Sequence, residues 1–383
     1  MKVQKIIIIL GIMLLWLGCD KKQQIKDEEL IYIDIRLLQK KNLILEDSVK
    51  YRFLKLETTN KCLIRQIMKI DFDENKMFIS DRNNKVFVFD NNGTFLHDVG
   101  GIGSGPDEQL SITDFVLDKK NKQIQIFDML KSTIYMYTYL GELISRKKVD
   151  VNIFRDFSSV DITSDNQLVL TMYNNIFATE YNYRMVNTEK YTNYRNCIPY
   201  IAIGEVCEVY RIAKTAKSGE ILYLSALASD TIYKYDDREK SILPAIVFNG
   251  KYKPLTKEDV VDKTFEIGSD VEFIARMKKR SIGIRELYAT KKYLHFVFEM
   301  DAEIYRCFWN LERQTGSYYR YVCESTIANF FSYVIGATDD AFVCAIPAYE
   351  AIRHNWDENQ DAKSVIDNTL EDDNPIIAFY YFD

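Results

Sequence analysis

The sequence predicts an all-β fold, a six-bladed β-propeller with a short helical insertion between blades 4 and 5. Three observations carry that reading. First, a polar turn, four or five β-forming residues, a polar stop and a second aromatic-rich strand recur six times, beginning at Asn75, Asn121, Asn166, Gly219, Lys292 and Asp340. The spacings are 46, 45, 53, 73 and 48 residues. Units of about 40–50 residues, each mostly strand, have the size of propeller blades, because one twisted four-stranded sheet cannot bury both faces alone. Second, 13% of the residues are aromatic, with 26 Tyr and 22 Phe, which suits strands packed sheet against sheet. Third, the long spacing of 73 contains a stretch whose pattern is not β.

The chain opens with MKVQKIIIILGIMLLWLGCD, in which Lys2 and Lys5 precede an apolar run from Ile6 to Gly18 that ends at Cys19. Thirteen apolar residues are too few to span a bilayer comfortably, and the basic flank marks a secretory signal segment. The Cys directly after Gly18 resembles the lipobox of bacterial lipoproteins, although Trp16 and Leu17 are bulkier than the usual residues there. That resemblance implies cleavage before Cys19, lipidation of its sulfur and acylation of the new N-terminus, and two or three acyl chains anchor a protein stably. The expected division is a signal peptide over 1–18, a tether over 19–29 and the propeller over 30–383.

Loss of Lys2 and Lys5 would take the formal charge from -6 to -8. An acidic chain argues against a nucleic-acid partner, which needs a basic stripe to displace counterions from phosphate. It equally offers no basic patch for anionic lipid, so membrane attachment rests on the anchor.

From Leu30 the pattern LIYIDI alternates as a strand should, and PIIAFYYF from Pro375 is expected to pair with it in one blade and seal the ring. The insertion spans about 250–286, where Thr256 with Asp259 and Ser269 with Glu272 are spaced as capping boxes for one or two short helices. A further helix is expected from Trp356. Beyond Cys19 lie Cys62, Cys197, Cys207, Cys307, Cys323 and Cys344, with no CxxC pair. Only Cys197 and Cys207 are spaced to meet across a short loop; hairpin geometry sets Cys307 opposite Arg320 or Tyr321, not Cys323, and the others read as small buried residues.

The segment GGIGSGPDEQ, the ITDFVLDKKNKQIQIFD that follows it, the FISD and VFVFD strand ends and the terminal NPIIAFYYFD together resemble the six-bladed β-propeller lipoproteins abundant in Bacteroides and its relatives. That family is largely of unknown function. Its usual loop is GxGxGPGE; here Asp107 stands where the second Gly of GPGE would be. The resemblance implies a cell-envelope location, most naturally the outer membrane. DKKQQ after Cys19 in place of an acidic run leaves the periplasmic and surface faces both open.

Candidate sites are few. Gly101, Gly103, Gly105 and Pro106 form a glycine-rich loop, but a phosphate cradle needs a helix after the glycines, and here a strand follows, so the loop reads as a turn between blades that can border a binding mouth. Asp71, Asp73 and Asn75, like Asp357, Asn359 and Asp361, have the opening spacing of a calcium loop but lack its central Gly and distal Glu. No metal or other cofactor is expected. His97, His295 and His354 fall in different blades, with no nucleophile or ligand set implied.

The residues ending the first strong strand of each repeat, Asp81, Asp128, Met172, Ser225, Glu299 and Ala345, should sit at equivalent height and ring one mouth of the channel. With Arg82 beside them, Asp81, Asp128, Ser225 and Glu299 are the candidate binding residues for a cationic or hydroxyl-rich ligand; the plainer reading is that Asp blunts strand ends. Tyr181, Tyr183, Tyr191 and Tyr194, read as loop residues, would suit stacking on sugar rings. The function expected is non-catalytic binding of a glycan, peptide or partner protein at the cell envelope. A lyase or hydrolase using Asp81, Asp128 or Glu299 as acid and base is the first alternative, and a structural scaffold in an envelope complex the second.

Overall fold

In every repeat the apolar run is the second strand of an antiparallel sheet: Lys76–Asp81, Gln123–Asp128, Gln167–Met172, Ile221–Leu224, Tyr293–Met300 and Ala341–Ile346. The computed structural model describes residues 30–41, 49–82, 85–173, 180–188, 191–199, 207–208, 214–260, 269–320, 334–353 and 360–382. The leading segment, residues 1–31, is a separate unit lying almost wholly outside the described residues, and residues 32–383 form the other. Six sheets make a propeller. The innermost strands are Ile67–Asp73, Asp114–Asp118, Phe157–Ile162, Thr215–Ser218, Leu287–Ala289 and Val334–Ala337, and neighbours among them meet around a central axis.

Period-two alternation explains the ring. Along Lys76–Asp81, Met77 and Ile79 join the core with blade 6, whereas Phe78 points the other way into the core with blade 2. Each second strand is therefore apolar at nearly every position because both faces are covered. The same arrangement buries Phe127, Phe154 and Phe157 between blades 2 and 3, and Phe308, Phe342 and Tyr380 between blades 5 and 6.

Closure differs from the expectation in one respect. Ile376–Phe382 is the third strand of blade 6, but its outer partner is Val49–Lys55, and the Ile31–Asp34 strand instead adds a fifth strand to blade 4 beside Ser241–Asn249. Next, Gln39–Lys41 pairs in parallel with the outer strand of blade 5. The closing strand VKYRFLK carries Val49, Tyr51 and Phe53 on the core side, with Lys50 and Arg52 alternating outward as charges that protect a sheet edge. Asn374 reinforces the seam. Wholly buried, its side chain accepts from the Ile64 amide at 2.7 Å and donates to the carbonyls of Glu57 at 2.8 Å and Cys62 at 2.7 Å.

The insertion contains the helices Lys257–Val260 and Val271–Lys278. Thr256 and Asp259 make the expected reciprocal cap: the Thr256 amide donates to Asp259 Oδ2 at 2.9 Å and the Asp259 amide to Thr256 Oγ1 at 3.4 Å. The side chain of Glu272, and so the second capping box, lies outside the described residues. The expected later helix is Gln360–Ile366, preceded by a short turn of helix at Ala348–Ala351. Cys307 faces Tyr318, not Arg320 or Tyr321, because the hairpin turns between Asn310 and Thr315. Cys62, Cys197, Cys307 and Cys344 are free thiols; Cys323 and the side chain of Cys207 lie outside the described residues.

Asp230 ties the returning end of the insertion to blade 4. Ser281 Oγ donates to its Oδ1 at 3.0 Å, Ala228 N to the Ile282 carbonyl at 3.1 Å, and Gly283, at φ +82°, sits against Ser229 backbone where a Cβ would be 2.5 Å from two atoms. Burial raises the Asp230 carboxyl to about 7 from an ordinary value of 3.8, with the Ser281 bond opposing the rise. A folded value above the unfolded one means that the native state holds the proton more tightly, so stability is highest below about 4 and falls as pH rises towards 7. The full difference is worth up to ~4 kcal/mol. Asp230→Asn is expected to melt at a higher temperature than the parent at pH 8 and to match it at pH 4. An equal gap at both pH values would refute this account.

Candidate functional site

Asp81 and Asp128 end second strands, Ser225 follows one directly and Glu299 is the penultimate residue of another, and each is engaged within its own neighbourhood. Asp81 accepts from the amides of Lys85 at 3.3 Å and Arg65 at 3.5 Å. Asp128, fully buried, accepts from the amides of Leu110 at 2.7 Å and Lys131 at 2.9 Å. These two carboxylates thus clip the loop entering the blade to the turn leaving its second strand. Ser225 Oγ accepts from the Lys214 amide at 2.9 Å. Glu299 takes Arg276 Nε at 3.1 Å, with Arg285 at 3.8 Å, at the edge of a small cavity of about 190 Å³ under the insertion helix. Arg82 reaches outward to Gln66 Oε1 at 3.2 Å.

The glycine-rich loop joins blades 1 and 2 and satisfies itself. Gly101 N donates to Gln109 Oε1 at 2.9 Å and Gly105 N to Glu108 Oε2 at 2.7 Å, while Arg146 donates to the Pro106 carbonyl. A Cβ on Gly103 would stand 2.0 Å from Glu108 Oε2, the far end of a flexible side chain that can move aside, and Gly103 has no positive φ, so this position does not demand glycine.

A much larger concavity lies at the opposite end, where the first strand of each blade turns into the second. Its volume is about 1140 Å³. Blade 1 contributes Asp71, Asp73 and Glu74, blade 2 Lys119, blade 4 Lys217 and Glu220, blade 5 Lys291, Lys292 and Tyr293, and blade 6 Asp339 and Asp340. Arg52 of the closing strand and the ends of Phe379, Tyr381 and Phe382 complete the wall. The turns DENK, GE, KK and DD supply alternating charge at equivalent positions of a circular array. Most of the acids are paired: Lys119 lies 3.4 Å from Asp71, Lys122 2.9 Å from Asp73 and 3.0 Å from Glu74, and Lys291 2.6 Å from Asp339. Burial opposes charge on Asp73, but hydrogen bonds from Lys122 and Tyr139 outweigh it and hold its pKa below the usual value.

Below the basin the axis is crossed by polar side chains from four successive blades. Lys69 donates to Asp114 Oδ2 at 3.0 Å and to the Val160 carbonyl at 2.9 Å; Asp114 also accepts from the Val160 amide at 2.7 Å, and Thr215 Oγ1 donates to Asp161. Burial works against the Lys69 ammonium, yet Asp114 and Asp161 beside it keep its pKa above the ordinary lysine value. Nothing in the sequence joins Lys69, Asp114, Asp161 and Thr215, because they lie on different strands and meet only when the ring sets those inner strands side by side.

His295 is buried, stacked on Phe308 at 4.6 Å, and burial lowers its pKa to about 3. His97 Nε2 bonds the Tyr139 carbonyl at 3.1 Å, and His354 lies outside the described residues. Tyr181, Tyr183 and Tyr194 are strand residues, not loop residues; Tyr183 is buried and Tyr194 lies under the Arg184 guanidinium. Asn75 Oδ1 accepts from Asn91 at 3.1 Å, and among the described residues no group of three or more His, Cys, Asp or Glu converges as a metal site. Asp357, Asn359 and the side chain of Asp361 lie outside those residues. No helix among them is long and apolar enough to cross a membrane.

Fold and basin define a six-bladed β-propeller with a preformed charged mouth. The chain belongs to the family described as a domain of unknown function, DUF4934, whose model matches residues 32–381. It is similar in structure to a Bacteroides fragilis protein thought to be exported, with a TM-score of 0.70 at 16% identity over 92% of this chain and 99% of that one. A member of the DUF4221 family from Bacteroides vulgatus is similar at a TM-score of 0.52 and 12% identity, over 88% of this chain and 98% of that one. No curated protein matches.

Proposed function

We propose that this chain is a non-catalytic recognition protein of the cell envelope, anchored through a lipidated Cys19, that holds its ligand in the charged basin where first and second strands meet. The observation that carries the reading is the basin itself: about 1140 Å³ of preformed concavity walled by side chains from five blades. That exceeds the usual ~300–1,000 Å³ of a small-molecule pocket and suits a segment of a larger ligand. The acid–base alternative has less support, because Asp81 and Asp128 are committed to backbone amides of their own blades. The similarity to a protein thought to be exported supports the envelope location.

The test uses the full chain with Cys19→Ser, probed with a glycan array and a display library of random dodecapeptides. Binders are expected to lose at least about tenfold in affinity on the Lys119→Glu, Lys291→Glu double variant, whose side chains are half-exposed at the rim. Mass spectrometry of recovered probes should show no conversion; turnover, or binding indifferent to the double variant, would refute the reading. In cells, an alkynyl fatty acid should label the parent chain and not Cys19→Ser, and equal labelling of both would remove the anchor.

A further inference from the structure

We infer that the basin contains an anionic subsite, centred on Lys217 and Lys292, that takes the carboxylates of an acidic peptide segment. This rests on the basin being the ligand site and goes further by naming the ligand's chemistry.

The argument begins with the pleat. In the inner strand Thr215–Ser218, Ala216 and Ser218 are buried while Thr215 and Lys217 share the other face. Thr215 points to the axis, because its hydroxyl reaches Asp161 on the neighbouring inner strand. Lys217, one pleat nearer the mouth, therefore enters the basin from the channel wall, and it does so half-buried.

Charge pairing then separates the two sides of the basin. On the side of blades 1 and 2, Asp71, Asp73 and Glu74 are matched by Lys119 and Lys122, and on blade 5 Lys291 is matched by Asp339. Among the described residues, Lys217 and Lys292 have no carboxylate within ion-pair distance; Lys292 is exposed on its turn, as are the remaining acids Glu220 and Asp340, so water screens all three, and Lys217 alone of these four is half-buried. A half-buried ammonium in a concavity attracts an anion more strongly than rim acids repel it.

The adjoining wall selects between acidic polymers. Phe382 lies face to face with Phe308 at 4.6 Å and 19°, and the Arg52 guanidinium covers a face of Phe379 at 4.5 Å. One face of Phe382 and one of Phe379 are thus already covered, which reduces the ring surface open to sugar stacking. An extended peptide fits better: alternate side chains can place a carboxylate on Lys217 or Lys292 and an apolar group against the edges of Tyr293 and Phe382.

The experiment is fluorescence anisotropy of dye-labelled octaglutamate with the full Cys19→Ser chain, with octalysine, a neutral octapeptide and oligogalacturonate as competitors. Octaglutamate should bind with an affinity that falls as salt rises, and only unlabelled octaglutamate should displace it well. Lys217→Glu with Lys292→Glu should weaken binding at least about tenfold, while Lys217→Met alone, which keeps the fold without the charge, should weaken it by a smaller factor. If octalysine or the neutral peptide binds as well, or the charge reversal changes nothing, the anionic subsite is refuted while basin recognition can still stand on its own array and display test. Stronger displacement by oligogalacturonate than by octaglutamate would overturn the peptide assignment.

Discussion

A chain lacking residues 374–383 is expected to have no cooperative unfolding transition and to bind hydrophobic dye as an expanded state. The deletion removes Ile376, Ile377, Ala378 and Tyr380, all fully buried, together with Phe379 at 4% exposure. At roughly 1.5–3 kcal/mol for each large side chain, the loss is about 10 kcal/mol, comparable with the whole stability of an ordinary domain at about 5–15 kcal/mol. It also strands Val49–Lys55, whose only sheet partner among the described residues is Ile376–Phe382. Starting the chain at residue 42 supplies the contrast. That removes Ile31–Asp34 and Gln39–Lys41, which extend two sheets at their outer edges, and should leave a cooperative, if weaker, transition. Circular dichroism melts of both truncations decide the matter: a folded C-terminal truncation would show that closure is dispensable.

The second large effect is expected at Lys69→Met. Removing the ammonium leaves Asp114, buried at 6% side-chain exposure, facing Asp161 near the axis with its strongest partner gone. Breaking a buried pair in this way costs about 3 kcal/mol or more. The deficit should shrink on acidification, because a carboxylate that has lost its cation is protonated more readily in the folded state than in the unfolded chain, and stability then improves as pH falls. Adding Asp114→Asn should recover a substantial part of the loss at neutral pH. Urea denaturation of the three variants would test this, and a Lys69→Met chain as stable as the parent would mean that the axial network is incidental.

What the sequence discloses follows from how each residue earns its place. The second strands were legible because both of their faces are buried, giving unbroken runs such as MFIS and QIQIF, each followed by a stop at Asp81 or Asp128. The closing strand was harder. VKYRFLK is half charged, and only its alternation of Val49, Tyr51 and Phe53 against Lys50 and Arg52 marks an edge strand, so the more apolar LIYIDI took its place in the expectation.

At the candidate site the residues ending strong strands drew attention because carboxylates stand out beside apolar runs, yet Asp81 and Asp128 serve their own loops. The basin is made from turn residues, Glu74, Lys119, Glu220, Lys292 and Asp340, which look like ordinary turn chemistry one at a time. Their signal was present in the repeat: every inner turn carries charge at the same register, and a closed ring brings equal registers together. Pairing across blades, such as Lys122 with Asp73, cannot be read without knowing which blades are neighbours.

The seam at Asn374 has a consequence for how the molecule comes into being. Its side chain meets the amide of a residue 310 positions earlier in the chain, and the strand beside it follows every other blade strand in sequence. Contacts of such long range form slowly, because the loop between them must be closed before they stabilise anything. Residues 49–55 must therefore wait, unpaired, while five blades are assembled. A chain cut short at any point before its final strand is an open horseshoe with two raw sheet edges, a form that proteases and chaperones recognise. Presence of the closing strand is in this way what separates a sealed ring from an open one.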